Sequence, residues 1–397
     1  MRRMTPPRRR RSSALFPTDG PVDADRLIGR ADDVDELANA LDNGINRILV
    51  GPRRTGKTSV ALAALAELRE RGAYPVALDL FRVGSKAELA ETLVRAVVEN
   101  RSVPRRAGAA VRRGGRALAE ATTVAVSTKL RADLGDEVEI VYTPGIAARD
   151  PDRYLDYALA LPQRVAELDD RQVVLFVDEF QEIASPRSPY GDADALTKRM
   201  RAVLQRSDRV TALFAGSIEH LMRDLFVPEN RAFYRFGGFA ELSPIPPGAW
   251  SEGIVGRLAE DRTTIEPLAL AELLRISEGH PRVTMLLAQQ AHSLAVLLDH
   301  RHITGEHVQE AHTEALAADW VSHTTELERI RQLGRHTFDV ARRIARGEPP
   351  YAGTEAKAVQ RALDALVTAG LVDREQSAGR STWRLLDPLL REFLASR

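Results

Sequence analysis

Two glycines five positions apart, followed at once by a lysine and a threonine, make the most chemically specific stretch of the chain: Gly51-Pro52-Arg53-Arg54-Thr55-Gly56-Lys57-Thr58-Ser59. Glycine tolerates positive φ and lets backbone approach an anion closely, so successive amide N–H groups and a helix N-terminus can surround phosphate. Lys57 supplies a point charge for the β and γ phosphates of a nucleotide, and the Thr58 hydroxyl suits Mg²⁺. Pro52, Arg53, Arg54 and Thr55 occupy the variable positions of the loop. Their backbone meets phosphate while the two arginine side chains can turn toward a lid or a neighbouring surface. The bland alternative is a glycine turn with a chance lysine. Against it stand the apolar run Ile48-Leu49-Val50 before the loop and the helical pattern after it.

Breaking a nucleotide asks for more than holding one. That requirement falls on Val173-Val174-Leu175-Phe176-Val177-Asp178-Glu179, a continuous apolar run closed by two carboxylates. Successive strand residues point to opposite faces, so two usable carboxylates in a row imply that the chain turns there. Asp178 is suited to hold Mg²⁺ through water. Glu179 is suited to orient and polarise an attacking water, because phosphoryl transfer depends on positioning and charge. A solvated turn after a strand is the alternative, and the phosphate loop upstream weakens it.

These residues need a sheet to carry them. Apolar runs at Arg47 to Val50, Val76 to Leu80, Val173 to Val177, Val210 to Ala215 and Phe239 to Leu242 predict five strands, with helices between them, in an α/β fold with a parallel sheet. Three of the later strands end in polar residues, as a site at the strand C-termini requires. From about Pro246 strand signals stop and helices dominate. The chain then closes with a helix over Thr354 to Ala369, a polar turn at Ser377-Ala378-Gly379, a strand and a final helix opened by Asp387-Pro388, the order of a winged helix-turn-helix. The expected domains are a flexible basic arm (1–25), a P-loop ATPase core (26–245) with an insertion at about 100–150, a helical lid (246–325) and a winged helix-turn-helix domain (326–397).

A length of 397 residues exceeds what one core normally supports, and 44% hydrophobic with 28% charged residues is ordinary for a globular chain. The 56 basic residues balance 56 acidic ones, so binding to nucleic acid or an anionic membrane would have to be local. The absence of cysteine excludes disulfides and thiolate chemistry. No apolar stretch is long enough to span a bilayer, and a cytoplasmic location is expected. Only Lys57, Lys86, Lys129, Lys198 and Lys357 are lysines, so arginine is the default cation and arginine clusters carry little information. Nucleic-acid contact is conceivable through Arg8 to Arg11, Arg105-Arg106 and Arg112-Arg113, or through Arg374, Arg380 and Arg384 near the wing. The recognition-helix position sets Lys357 and Arg361 against Glu355 and Asp364, and Trp383 reads as core.

Taken in order, LIGRADDVDEL, GPRRTGKTS, FVDEFQEI, FAGS, FYRF, SEGHP and RLLDPLLREFL resemble the archaeal-type ATPase family, a branch of the AAA+ and STAND P-loop ATPases. The resemblance covers residues 27–397, with 86–168 its least recognisable part. It implies ATP and Mg²⁺ as cofactors, a turn at Ile28-Gly29-Arg30 packed near the adenine, and Ser217 as the sensor that helps align water. It implies Arg235 as an arginine finger for a neighbouring subunit, with Arg231 as the rival candidate. Gly279-His280-Pro281 resembles the element that brings a lid onto the nucleotide, and Arg282 stands where related origin-recognition ATPases carry a γ-phosphate-touching arginine. His280 itself reads as an ordinary loop histidine. The implied function is an ATP-binding and ATP-hydrolysing switch whose lid and winged helix relay nucleotide state to a protein partner or to a second copy of the chain. The alternative is a DNA-binding regulator or mobile-element factor using ATP as a conformational lock; a small-molecule kinase explains neither lid nor winged helix.

Overall fold

The computed structural model describes residues 11–102, 150–185, 188–352, 355–377 and 380–397. The arginines from Arg8 to Arg10, the pairs Arg105-Arg106 and Arg112-Arg113, most of the expected insertion and the Ala378-Gly379 turn lie outside these residues. The chain divides into two compact units, one of Asp32–Gly51 and Lys57–Leu242, the other of Met1–Ala31, Pro52–Gly56 and Ser243–Arg397.

The first unit is built on five parallel strands: β1 (Arg47–Val50), β2 (Tyr74–Asp79), β3 (Val173–Asp178), β4 (Val210–Gly216) and β5 (Gly238–Glu241), in spatial order β2-β3-β4-β1-β5. Every residue of β3 and β4 is buried, as expected of parallel strands covered on both faces. The two-residue period sorts the strand side chains between two cores. Val173, Leu175, Val177, Ile48, Val50 and Phe214 face one, with helices Lys86–Ser102, Pro151–Asp169 and Ala193–Leu204. Val174, Phe176, Leu49 and Leu213 face the other, with helices Ala31–Asp42 and Lys57–Arg71. Register aligns Val50 with Gly216 and Val177 with Phe214, so β1, β3 and β4 end at the same edge of the sheet.

The second unit is helical. Pro247–Ala259, Pro267–Ser277, Pro281–Leu297 and Gly305–Ala318 pack around one core, with the two-residue strands β6 (Thr264–Ile265) and β7 (His302–Ile303) paired beside them. Three of these helices open on proline, whose fixed φ suits the first helical position where the missing N–H costs nothing. A further core gathers helices Trp320–Leu333, Thr337–Ala345 and Ala356–Thr368, the antiparallel hairpin β8 (Val372–Ser377) and β9 (Arg380–Leu385), and helix Pro388–Ala395, the winged helix-turn-helix arrangement. Trp383 packs against this core. Among the described residues no helix is long and apolar enough to cross a membrane.

Two expected boundaries are corrected. The arm expected to be flexible over 1–25 is anchored from Ser12 onward: helix Ser12–Leu15 leads into Leu15 and Phe16, both 0% exposed in the same core as Trp250, Val283 and Leu287. Arg257 donates to the carbonyl oxygen of Leu15 at 2.9 Å and also to that of Arg26, and Gln289 donates to Phe16 O at 2.9 Å. Two adjacent apolar residues are too few to show a period, and their anchors lie more than two hundred positions away. Residues 26–31 likewise belong with the helical unit rather than with the sheet. The boundary expected at 325 falls inside helix Trp320–Leu333, whose Leu327 and Ile330 join the winged-helix core as expected, whereas Leu389 of the last helix joins the other core.

Removing the Phe16 ring leaves a cavity in a packed core, and such truncations cost about 3–5 kcal/mol. Phe16→Ala is therefore expected to lower the denaturant midpoint of the helical unit sharply, while Ser13→Ala, at an exposed position of the same segment, leaves it unchanged.

Candidate functional site

The loop after β1 has the backbone that phosphate binding needs. Gly51 and Gly56 take φ of 143° and 94°, and Arg54 between them takes 66°, a left-handed value that costs an arginine of order 1–2 kcal/mol. Thr55 Oγ1 donates to Pro52 O at 2.9 Å and stiffens the turn. A Cβ at Gly56 would meet nothing within 4 Å, so glycine is needed there for its dihedral rather than for room. Helix Lys57–Arg71 starts directly from the loop. Lys57, 7% exposed, lays its ammonium back over the loop and donates to Gly51 O at 2.8 Å, and Ser59 is buried in the first turn.

Across from that helix start, β3 delivers its carboxylates. Thr58 Oγ1 donates to Asp178 Oδ2 at 2.7 Å, and Glu179 N donates to Asp178 Oδ1 at 2.9 Å. Burial pushes the Asp178 carboxyl above its ordinary value, opposed by these two hydrogen bonds. The donor set is hard oxygen, and among the described residues no group of three or more His, Asp or Glu would hold a metal by itself. Such a pair suits an ion that takes its other ligands from phosphate and water, which is the habit of Mg²⁺.

Glu179 itself has φ 51°, so the chain does turn between the two carboxylates. Its Oε2 accepts from Ser217 Oγ at 3.0 Å and from Gln181 Nε2. Gln181 is 0% exposed, and its Oε1 accepts from Ser217 N at 3.3 Å. Gly216 makes room for it, because a Cβ there would lie 2.6 Å from Gln181 Oε1 and 2.5 Å from Met222 Sδ. Sequence reasoning gave Gln181 no role. The one signal was an amide directly after Phe180 in the turn that follows the carboxylates, where a buried polar group demands a partner.

The sheet unit thus brings together Gly51, Lys57, Thr58, Asp178, Glu179 and Ser217. Ser59, Arg231 and Arg235 also belong to the sheet unit, and the remaining expected residues sit in the helical unit. Ile28 is buried against Gly253, and Gly29, with φ 60°, has Ile245 and Ala249 where a Cβ would be, at 2.7 and 2.9 Å. Arg30, 5% exposed, donates to Ser243 O at 2.6 Å and to Thr55 O at 3.4 Å, so it staples the phosphate loop rather than reaching into solvent. Arg53 is exposed. Arg54 lies 3.7 Å from Asp387 Oδ2 and donates to Ser322 Oγ at 3.5 Å. Partial burial and the neighbouring Arg282 disfavour its charge, while Asp387, Asp319 and Glu326 favour it. Asp387 Oδ1 in turn caps helix Pro388–Ala395 by accepting from Leu389 N at 3.0 Å and Leu390 N at 3.2 Å.

Pro281 opens its helix, and His280 caps it through Nδ1, which accepts from Val283 N at 3.4 Å. Arg282, expected to reach toward phosphate, is held by Asp319 in a two-pronged pair at 2.5 and 2.8 Å. Of the two finger candidates, Arg231 is paired with Asp194 at 2.5 Å. Arg235 is exposed, at φ 53°, stacked 5.1 Å over Tyr234. Its loop is fixed from beneath by the fully buried Phe233, whose ring centroid lies 5.7 Å from Phe180, 5.3 Å from Phe214 and 5.2 Å from Phe226. Phe180 adjoins Glu179, so one aromatic cluster supports both residues.

Neither a known protein-family profile nor a curated protein matches the sequence. Solved structures do match its shape. A Walker-type ATPase of Pyrococcus abyssi aligns with a TM-score of 0.66 at 16% identity, over 96% of this chain and 99% of that one. The ORC2 protein of Aeropyrum pernix in ADPNP-ADP complexes aligns at 0.58 and 16% identity, over 98% and 96%, and its ADP form at 0.54 and 16%, over 96% and 98%. The fold is therefore that of the P-loop AAA+ ATPases, as the sequence resemblance implied.

Burial lowers the pKa of His280 and of His323 below the ordinary 6.5, so both are neutral in the folded chain and take up protons on unfolding in acid. Their stabilising contribution is complete above pH 6.5 and is lost as pH falls below it. The thermal midpoint of the helical unit is expected to drop over that interval. His280→Asn, which retains a capping acceptor without a titrating ring, is expected to flatten the drop in a melt series.

Proposed function

We propose that this chain binds ATP together with Mg²⁺, hydrolyses it, and passes the nucleotide state through its lid and winged helix to a macromolecular partner. The observation that carries the reading is Glu179. A nucleotide holder has no use for a second carboxylate beyond Asp178, yet the chain accepts a left-handed residue to present one, hydrogen-bonded to Ser217 at the tip of the next strand. In the proposed mechanism the loop amides and Lys57 hold the phosphates, and Thr58 and Asp178 hold the metal. Bound Mg²⁺ supplies charge neutralisation on the phosphate oxygens. Glu179 orients the attacking water and accepts its proton, and Ser217 keeps the carboxylate aimed. The turn Ile28-Gly29-Arg30 keeps the role beside the adenine that the family resemblance implies, and the winged-helix relay runs through Arg54.

The relay reading is supported by chemistry at the loop. Arg54 belongs to the segment that wraps phosphate, and its carboxylate neighbour Asp387 is the cap of the last winged-helix helix. Extra negative charge at the loop competes for that guanidinium and so bears on the cap. The DNA-binding alternative has less support. Arg384 is paired with Glu278 at 2.8 Å and Arg391 with the same carboxylate, while Arg374 stacks on Trp383 at 5.8 Å, so these three cations already have partners. Self-association is favoured instead, with Arg235, exposed on an aromatic-backed loop, as the finger donated to a second copy.

Two outcomes test this. Lys57→Ala is expected to abolish ATP binding, whereas Glu179→Gln keeps ATP binding and loses turnover by about 10²–10⁴-fold, measured by equilibrium binding and phosphate release. ATPase rate per chain is expected to rise with protein concentration, and Arg235→Ala to remove that rise while Arg231→Ala leaves it. A rate independent of concentration would sink the shared-site reading.

A further inference from the structure

We propose that Gln181 is a positioning residue for the water-activating carboxylate, acting as one jaw of a clamp that fixes Glu179 by a single oxygen. The proposal rests on the hydrolytic reading of Glu179. A carboxylate at the end of a flexible side chain can rotate, and a general base must be held within hydrogen-bond reach of its proton in one orientation. Glu179 Oε2 takes both donors, Gln181 Nε2 and Ser217 Oγ, from two different elements. Among the described residues no protein group occupies Oε1. The carboxylate plane is thereby set from one side, and Oε1 is left to meet water.

The clamp is itself oriented without ambiguity. A glutamine amide can be placed either way round, but the backbone N–H of Ser217 can only donate, so it requires Oε1 of Gln181 to face it at 3.3 Å. The nitrogen of the same amide then has to face Glu179. Gln181 is 0% exposed, so water cannot replace either interaction. The fit also depends on Gly216, since any Cβ there would strike the amide oxygen at 2.6 Å. The amide lies within 3.4 Å of Ser217 Oγ as well, so Gln181 and Ser217 hold one another while both hold Glu179.

The test compares Gln181→Met, similar in volume and without a donor, with Gln181→Glu, nearly the same shape with the donor replaced by an acceptor. In the full chain both are expected to lower kcat for ATP by about tenfold to a hundredfold, the loss typical of misplacing a reacting group, while KM and the affinity for a non-hydrolysable ATP analogue stay within about twofold. Gly216→Ala, which displaces the amide from outside, is expected to shift kcat in the same direction. A purely structural role would lower the fraction of chain that binds the analogue and leave kcat per binding site at the wild-type value, and that result overturns the proposal. An unchanged or increased kcat in both variants, with Glu179→Gln inactive, overturns the clamp alone. Wild-type turnover in Glu179→Gln overturns the hydrolytic reading and the clamp with it.

Discussion

The chemistry proposed for this chain depends on the alignment of parallel strand ends. Because β1, β4 and β3 are neighbours and all run the same way, the phosphate loop, Gly216-Ser217 and Asp178-Glu179 emerge at one edge of the sheet. Hydrogen-bond register across fully buried strands leaves little freedom to slide, since a one-residue slip would exchange the two cores. Thr58 and Asp178 can stand 2.7 Å apart only because that register holds. Glu179 breaks from strand geometry, and it does so where the buried run ends and backbone cost can be offset by hydrogen bonds to its side chain.

The second unit adds to its apolar cores a set of arginines paired with carboxylates and carbonyls remote in sequence. Arg257 gathers the carbonyls of Leu15 and Arg26, Arg30 those of Ser243 and Thr55, and Arg282 the carboxylate of Asp319. A planar guanidinium with five donors suits such work better than an ammonium does, and this chain has few lysines with which to attempt it. Arg54 belongs to the same pattern. Its pairing with the Asp387 cap makes the variable part of the phosphate loop a component of the winged-helix unit by its contacts, although the loop is covalently continuous with β1.

Much of the fold was legible because its signals are local. Apolar runs closed by polar residues marked the strands, and the loss of strand signals after about Pro246 marked the helical unit. What escaped was set by distance. Leu15 and Phe16 are anchored by Arg257 and Gln289, and nothing near them in the chain announces it. Gln181 is a common polar residue until β4 is laid beside β3 and its amide meets Ser217.

The spacing of glycines, lysine and threonine determines which atoms would meet phosphate in the proposed reading, because a phosphate loop is made by consecutive residues and its dihedrals are written in their side chains. The run ending in Asp178-Glu179 likewise settles that two carboxylates leave a buried strand together. Which carboxylate a given cation meets was decided in three dimensions. Arg235 and its rival Arg231 lie in one short stretch of sequence; in the fold Arg231 is paired with Asp194 and Arg235 is exposed. Arg282, which the resemblance set beside phosphate, is paired with Asp319 in the folded chain. An ion pair is a property of two residues whose separation along the chain is arbitrary, so only the folded chain assigns it.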